Sequence, residues 1–357
     1  DADGGASDGG ASDGADDGEN NEEASDECEH TGGTATCTEG KKCDTCGKVY
    51  TEPAPHDFSG DGECECGAKC DHATREGHSC KACALWIGHT SETACTVEGC
   101  NFTKNGDTIT LGMYPQTEEK DATLIAALNG KVGSWTNYNY NGCEIYYADV
   151  ENDGVKYRGV KKISDRPTGE GSTPVTNGYS ASESTIYWFK YEAITWKVID
   201  DTQADKVLVL ADLAIDAQNF GTDKYYSLST IRVWLIENFY NTAFSKIQQE
   251  VILATSIDLD ENGSGDAEDK VFLITKAEAD KLNGTTGDNW SITKKATDYA
   301  KIQGVYVNSD GNAQWIQRTE GPTVSAVSRV TSVGELRTAA YYVTTVGIVP
   351  AMWISLK

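Results

Sequence analysis

Beyond residue 106, apolar residues recur at the spacing of a strand in some stretches and of a helix in others. The run 107–113, DTITLGM, alternates β-branched and polar residues and predicts a strand. A short helix is expected at 121–128. Strands at 144–150 and 155–161 flank Asn152-Asp153-Gly154, a hairpin signal. The stretch 164–184 is rich in Gly, Pro, Ser and Thr and predicts a loop. Trp188, Phe189, Tyr191, Ile194, Trp196 and Val198 mark a strand over 186–199, and a short buried strand follows at 207–210. Ile231, Trp234, Leu235, Phe239 and Ala243 fall at helical spacing, so 229–244 predicts a helix capped by Ser229. Further helices are expected at 246–253, 276–282 and 297–302. Strands are expected at 271–275, 305–307, 314–318, 324–330 and 343–354. The sum is a mixed α+β domain over 105–357, within the usual range for one domain.

The first hundred residues follow no such pattern. Residues 1–27 contain only Asp, Ala, Gly, Ser, Glu and Asn, with eleven acids and no base. Nothing larger than Ala is apolar there, so burial cannot offset chain entropy, and an acidic tail or linker is expected. A tail clamped by a neighbouring subunit is the alternative. Eleven of the twelve cysteines and all five histidines then fall between Cys28 and Cys100. The spacing nearly repeats. Cys28-x-His30, Cys37, Cys43-x2-Cys46, His56 and Cys64-x-Cys66 are followed by Cys70-x-His72, His78, Cys80-x2-Cys83, His89 and Cys95-x4-Cys100. Two small modules are therefore expected, at 28–68 and 69–104, too poor in aliphatic residues to build a core without staples.

Two chemistries fit those staples. Zinc would use the thiolates of Cys43, Cys46, Cys64, Cys66, Cys80, Cys83, Cys95 and Cys100, each C-x2-C pair being completed by the later pair. Gly47 and Gly67, each directly after a cysteine, suit the tight backbone turn under a metal. Disulfides between pairs are the other solution, expected in a secreted chain. Cys37 and Cys143 are left over in either case. A redox role for Cys43-Cys46 lacks the surrounding βαβ unit. A third metal is suggested by the stretch from Asp258 to Asp269. Asp258, Asp260, Asn262, Ser264, Asp266 and Asp269 match most of the oxygen-ligand spacing of an EF-hand calcium loop, with Gly263 at the turn. The last position is Asp rather than Glu.

Composition narrows the partners. Thirty Lys and Arg stand against 56 Asp and Glu, a formal net charge of -26. Such a chain repels nucleic acid, whose binding needs positive charge to release counterions. No run of eighteen apolar residues spans a membrane. The start at Asp1 suggests a secretion signal already removed, hence an extracellular or cell-surface location. No nucleophile motif, phosphate loop or dinucleotide fingerprint is present, and no histidine follows residue 100, which removes His-based nucleophile pairs from the large domain. No organic cofactor is expected.

The motifs Leu111-Gly112-Met113-Tyr114-Pro115-Gln116, Ile194-Thr195-Trp196-Lys197-Val198-Ile199, Ser229-Thr230-Ile231-Arg232-Val233-Trp234-Leu235 and Gly347-Ile348-Val349-Pro350-Ala351-Met352-Trp353-Ile354 carry a resemblance. The stretch 108–357 resembles an uncharacterised bacterial domain of unknown function found in surface and secreted proteins. More distantly, Trp315-x-x-Arg318 and the closing Gly347-x-x-Pro350-Ala351 are similar to the end of the C-type-lectin-like fold in its formylglycine-generating-enzyme branch. Enzymes of that branch use two catalytic cysteines, whereas this domain has Cys143 alone, so no enzymatic activity is expected; the alternative is a hydrolase working through two of the 56 carboxylates. The resemblance implies a non-enzymatic surface protein whose C-terminal domain recognises a protein or glycan. The alternative is a self-assembling structural subunit of an extracellular fibre or surface layer. Tyr138, Tyr140, Tyr341 and Tyr342 are aromatic candidates for a binding surface.

Overall fold

A computed structural model of the protein describes residues 29–36, 39–54, 64, 68–89, 91, 93–138, 144–165, 175–259, 267–283 and 292–357. The acidic tail, Cys66, Tyr140 and Cys143 lie outside them. The chain forms two compact units, Asp1–Cys70 and Asp71–Lys357. In the first, the described residues centre on a tight turn: Gly47 N–H donates to Cys43 O (2.9 Å) and Cys43 N–H to Lys48 O (2.8 Å).

The second unit is mixed α/β and mostly sheet. Among the described residues its largest sheet has nine strands. The order is Ile252–Leu253, Ala351–Ser355, Lys206–Ala211, Tyr187–Gln203, Val155–Lys162, Ile145–Asn152 and Thr136–Asn137, with Thr108–Glu118 and Thr103–Asn105 branching from the long strand. All its pairings are antiparallel. Tyr187–Gln203 organises it. Its first residues pair with Val155–Lys162, its last with Lys206–Ala211, and its middle with Thr108–Glu118. The hairpin at Asn152 closes as expected. Asp153 and Gly154 take φ of +51° and +75°, the left-handed pair such a two-residue turn requires.

A second sheet runs Asp216–Ala217, Gly347–Ile348, Trp315–Glu320, Ala326–Val330 and Leu336–Ala340. Pro350 separates Gly347–Ile348 from Ala351–Ser355, so the single strand expected at 343–354 becomes two in different sheets. Proline lacks the N–H a continuous ladder needs. The residues 271–275 form no strand. Phe272 instead makes a lone bridge to Ala351.

The helix expected at 229–244 is present with a change of pitch. Ser229 accepts from Arg232 N–H and caps Thr230–Trp234, a π turn covers Leu235–Phe239, and Tyr240–Ala243 closes it. Leu235 and Phe239, four residues apart, both reach the core, since the π turn changes the hydrogen bonds and not the apolar face. That core is aromatic: Trp196, Trp234, Trp315, Tyr114, Tyr226, Tyr299 and Phe102 are all buried. Phe102 and Cys100 belong to it, so residues expected to end a separate module pack within the second unit. A smaller cluster, Leu128, Tyr157 and Trp188, sits under the helix Ala122–Asn129.

Candidate metal centres and a surface cleft

Among the described residues, three groups of Cys and His donors stand with their ligand atoms within 4.8 Å of one another. In the first unit the group is His30, Cys43 and Cys46. Cys46 Sγ lies 3.4 Å from His30 Nδ1. The backbone N–H of Cys46 lowers the Cys43 thiol to about 5, and the His30 side chain adds to it. Gly47, after the second cysteine, has φ +75°, the left-handed turn expected under a metal.

The second unit repeats this design. His72 and the pair Cys80 and Cys83 converge, with Cys83 Sγ 3.4 Å from His72 Nδ1. Ala84 takes the place of Gly47, at φ +56°, and its N–H donates to Cys80 O (2.8 Å) as Gly47 does to Cys43 O. Cys70 stands two residues before His72 in the chain, the same C-x-H step as at Cys28 and His30.

The remaining group is His78, His89, Cys95 and Cys100. His78 Nε2 lies 3.3 Å from both Cys95 Sγ and Cys100 Sγ. A tetrahedral zinc with ordinary Zn–S and Zn–N bonds separates such donors by about 3.5 Å. Burial pushes the Cys100 thiol up to about 12 and the His89 imidazole down to about 4. A buried thiol such as that of Cys100 keeps its proton unless a cation replaces it. Among the described residues no two cysteines are joined by a disulfide.

These clusters can hold a metal such as zinc. The donors divide differently from the sequence expectation. Cys80 and Cys83 meet His72 rather than Cys95 and Cys100, and the latter pair meets His78 and His89. Histidines take half of the last set. The repeated C-x-H step, which had no assigned role, was the signal for His30 and His72, and no such step marks His78 or His89. Cys64 is buried, and its expected partner Cys66 lies outside the described residues.

The calcium candidates fare differently. Asp260, Asn262, Ser264 and Asp266 lie outside the described residues, between the paired strands Thr255–Ile257 and Ala267–Asp269. Asp269 already has a partner. Its two oxygens accept from Arg232 Nε and one terminal nitrogen, each at 2.7 Å. The helices of an EF-hand do not flank the loop, and calcium has no support among the described residues.

Of the aromatic candidates, Tyr138 turns inward. It is buried, and its hydroxyl donates to the buried carboxylate of Asp216 (2.8 Å), as does that of Tyr114 (2.7 Å). Tyr342 is exposed. A cleft of about 420 Å³ lies elsewhere, lined by Tyr225, Tyr226, Leu228, Leu259, Arg318 and Glu320. Tyr225 and Leu228 are exposed at its rim, with Lys224 5.1 Å from the Tyr225 ring centre. Arg318 is buried. One terminal nitrogen donates to Leu273 O (2.6 Å), and its Nε has no hydrogen-bond partner among the described residues.

Residues 204–356 match the family model of a domain of unknown function, DUF6273. This is the later part of the stretch over which the quoted motifs recur. The matched segment includes every residue lining the cleft and none of the Cys or His donors. No curated protein and no solved structure matches the chain. Among the described residues, no helix is long and apolar enough to cross a membrane.

Proposed function

We propose that this chain is a non-enzymatic extracellular or cell-surface protein in which zinc-stapled Cys/His modules carry a recognition domain of C-type-lectin-like character. The cleft at Tyr225 is its binding face, and a glycan is the occupant. The observation that carries this is the composition of the cleft. An exposed tyrosine ring offers a flat face for a sugar ring. Beside it, Arg318 and Glu320 offer a donor and an acceptor for hydroxyl groups, the usual make-up of a site that is apolar with a few placed polar groups. Acid chemistry has less support. The buried carboxylate Asp216 is held by two tyrosine hydroxyls and the Ala217 N–H (2.7 Å), a structural arrangement rather than one poised for proton transfer.

The zinc part rests on the thiols and imidazoles gathered in each group. The test of recognition is a glycan array probed with the intact protein and with Tyr225→Ala. Binding lost in the variant supports the cleft, and equal binding by both moves the site elsewhere. Absence of glycan binding, with regular fibres of the native protein in the electron microscope, replaces recognition by the structural-subunit alternative.

A further inference from the structure

The last Cys/His group differs from the other two in what stands behind its histidines. His78 Nδ1–H donates to Glu250 Oε2 (2.8 Å), and His78 N–H donates to the same oxygen (3.0 Å). A carboxylate accepts only, so the proton is on Nδ1 and the Nε2 lone pair faces the two thiols. His89 Nε2–H donates to Ser355 O (2.9 Å), again an acceptor only. That leaves a lone pair on His89 Nδ1, an atom shut off from solvent with no hydrogen-bond partner. His89 is 7% exposed, and an imidazole nitrogen so buried needs something to donate to. Both imidazoles are thus locked in the tautomer and direction of a metal ligand by groups from distant parts of the same unit.

The backbone is cut to allow those approaches. Gly77 and Gly88 immediately precede the two histidines, at φ +61° and +63°. A Cβ on Gly77 would lie 2.7 Å from Glu250 Oε2, and one on Gly88 only 1.7 Å from the carbonyl carbon of Lys357. The helix Lys246–Glu250 also docks on the Cys95–Cys100 loop. Gln248 Nε2 donates to Cys100 O (3.0 Å), and Ser245 Oγ to Gly99 O (3.3 Å). Ser355 ends the strand Ala351–Ser355, which pairs with Lys206–Ala211 in the large sheet.

We infer that His78, His89, Cys95 and Cys100 form a zinc site whose outer shell belongs to the C-terminal domain, with Glu250 and the Ser355 carbonyl as positioning groups. The metal then acts as a clasp that fixes the end of Lys246–Glu250 and the closing strand Ala351–Ser355 to the Cys/His loops. This rests on the zinc reading of the modules and goes beyond it, since a self-contained zinc module needs no partner in the sheet domain.

The experiment uses the full chain, stripped of metal under reducing conditions and titrated with zinc against a chromogenic chelator. His89→Ala should lower the bound zinc by one equivalent. Glu250→Gln keeps the shape and should weaken one zinc by about 10–100-fold while leaving the others unchanged. Glu250 is 37% exposed at its side chain, so the conservative variant is expected to fold. Cobalt supplies a second readout. His89→Ala should remove the thiolate charge-transfer intensity of one two-sulfur site, a loss that a purely structural role for the imidazole would not produce. Superimposable zinc titrations for the parent and Glu250→Gln, or a full zinc complement in His89→Ala, would overturn the clasp while leaving zinc in the modules. No zinc uptake by the parent chain would overturn both.

Discussion

Asp149 and Arg158 form the best-paired charges of the large sheet. Arg158 is almost fully buried, and its Nε and one terminal nitrogen donate to the two Asp149 oxygens at 2.8 and 2.9 Å, with the Tyr147 ring 4.3 Å from the guanidinium carbon. Burial alone would raise the carboxyl of Asp149. Arg158, with Lys156, reverses this and holds it below the ordinary 3.8. Asp149→Asn leaves a buried guanidinium without its counter-charge and should cost about 3 kcal/mol or more at neutral pH. The sign with pH follows from the depressed value. The stabilisation is present above 3.8 and is lost as pH falls through the folded carboxyl value, so parent and variant should converge in acid. Denaturation midpoints at pH 7 and near pH 2 check this, and a constant gap would refute it. Lys294 makes the opposite case. Burial lowers its ammonium to about 8, with Asp212 at 3.9 Å offsetting little. The cost of burying it is complete below that pH and disappears as pH rises towards 10.5, so Lys294→Met should stabilise at pH 7 by on the order of 2–3 kcal/mol and gain almost nothing above pH 10.5. Neither pair could be seen beforehand, because a charge in a strand reads as an exposed position until the partner strands are placed.

Strands and helices with strong local signals came through well. Asp121 accepts from Leu124 N–H as the cap of Ala122–Asn129, Ser229 caps where its spacing placed it, and the Asn152 hairpin closes in register. What failed was decided by partners far away in the chain. The residues 271–275 have the β-branched and aromatic make-up of a strand yet find only a single bridge, and the π turn at Leu235–Phe239 shifts hydrogen bonds without altering the apolar spacing. Gly159 shows the same dependence. It pairs with Trp188 across Val155–Lys162 and Tyr187–Gln203, and a Cβ there would lie 2.8–3.0 Å from the indole ring. The ring is anchored, its Nε1–H donating to Asn129 Oδ1 (2.9 Å). Gly159→Ala should therefore cost about 1–3 kcal/mol, since the only relief is to move a buried Trp out of its hydrogen bond. Near-ultraviolet circular dichroism with a thermal melt reads both effects, and an unchanged spectrum and midpoint would count against this packing.

The metal donors show what spacing could and could not convey about the chain as an assembly. The repeat of C-x-H and C-x2-C announced two similar modules. Gly47 takes the expected left-handed turn after Cys46, Ala84 takes one after Cys83 that was not expected, and Gly67 lies outside the described residues. The repeat could not show that the donors of its second half divide between two groups, nor that one group leans on Glu250 and Ser355, because both arrive from beyond residue 200. That division makes a separable prediction. All eight tryptophans lie in the unit Asp71–Lys357, so their fluorescence follows that unit and not the first. If zinc at His78, His89, Cys95 and Cys100 is part of its fold, the midpoint of the fluorescence melt must rise with free zinc, since a ligand that binds only the native state adds RT ln(1 + [L]/Kd), about 4 kcal/mol at a thousandfold excess over Kd. For a unit of this size that amounts to an upward shift on the order of 5–10 °C. Glu250→Gln should displace the rise to about 10–100-fold higher zinc and leave its slope unchanged, because it weakens affinity and leaves the folded unit intact. A melt that ignores zinc while the chelator titration shows the metal bound would mean that the Cys/His groups stiffen only their own loops, and that the sheet domain stands without them.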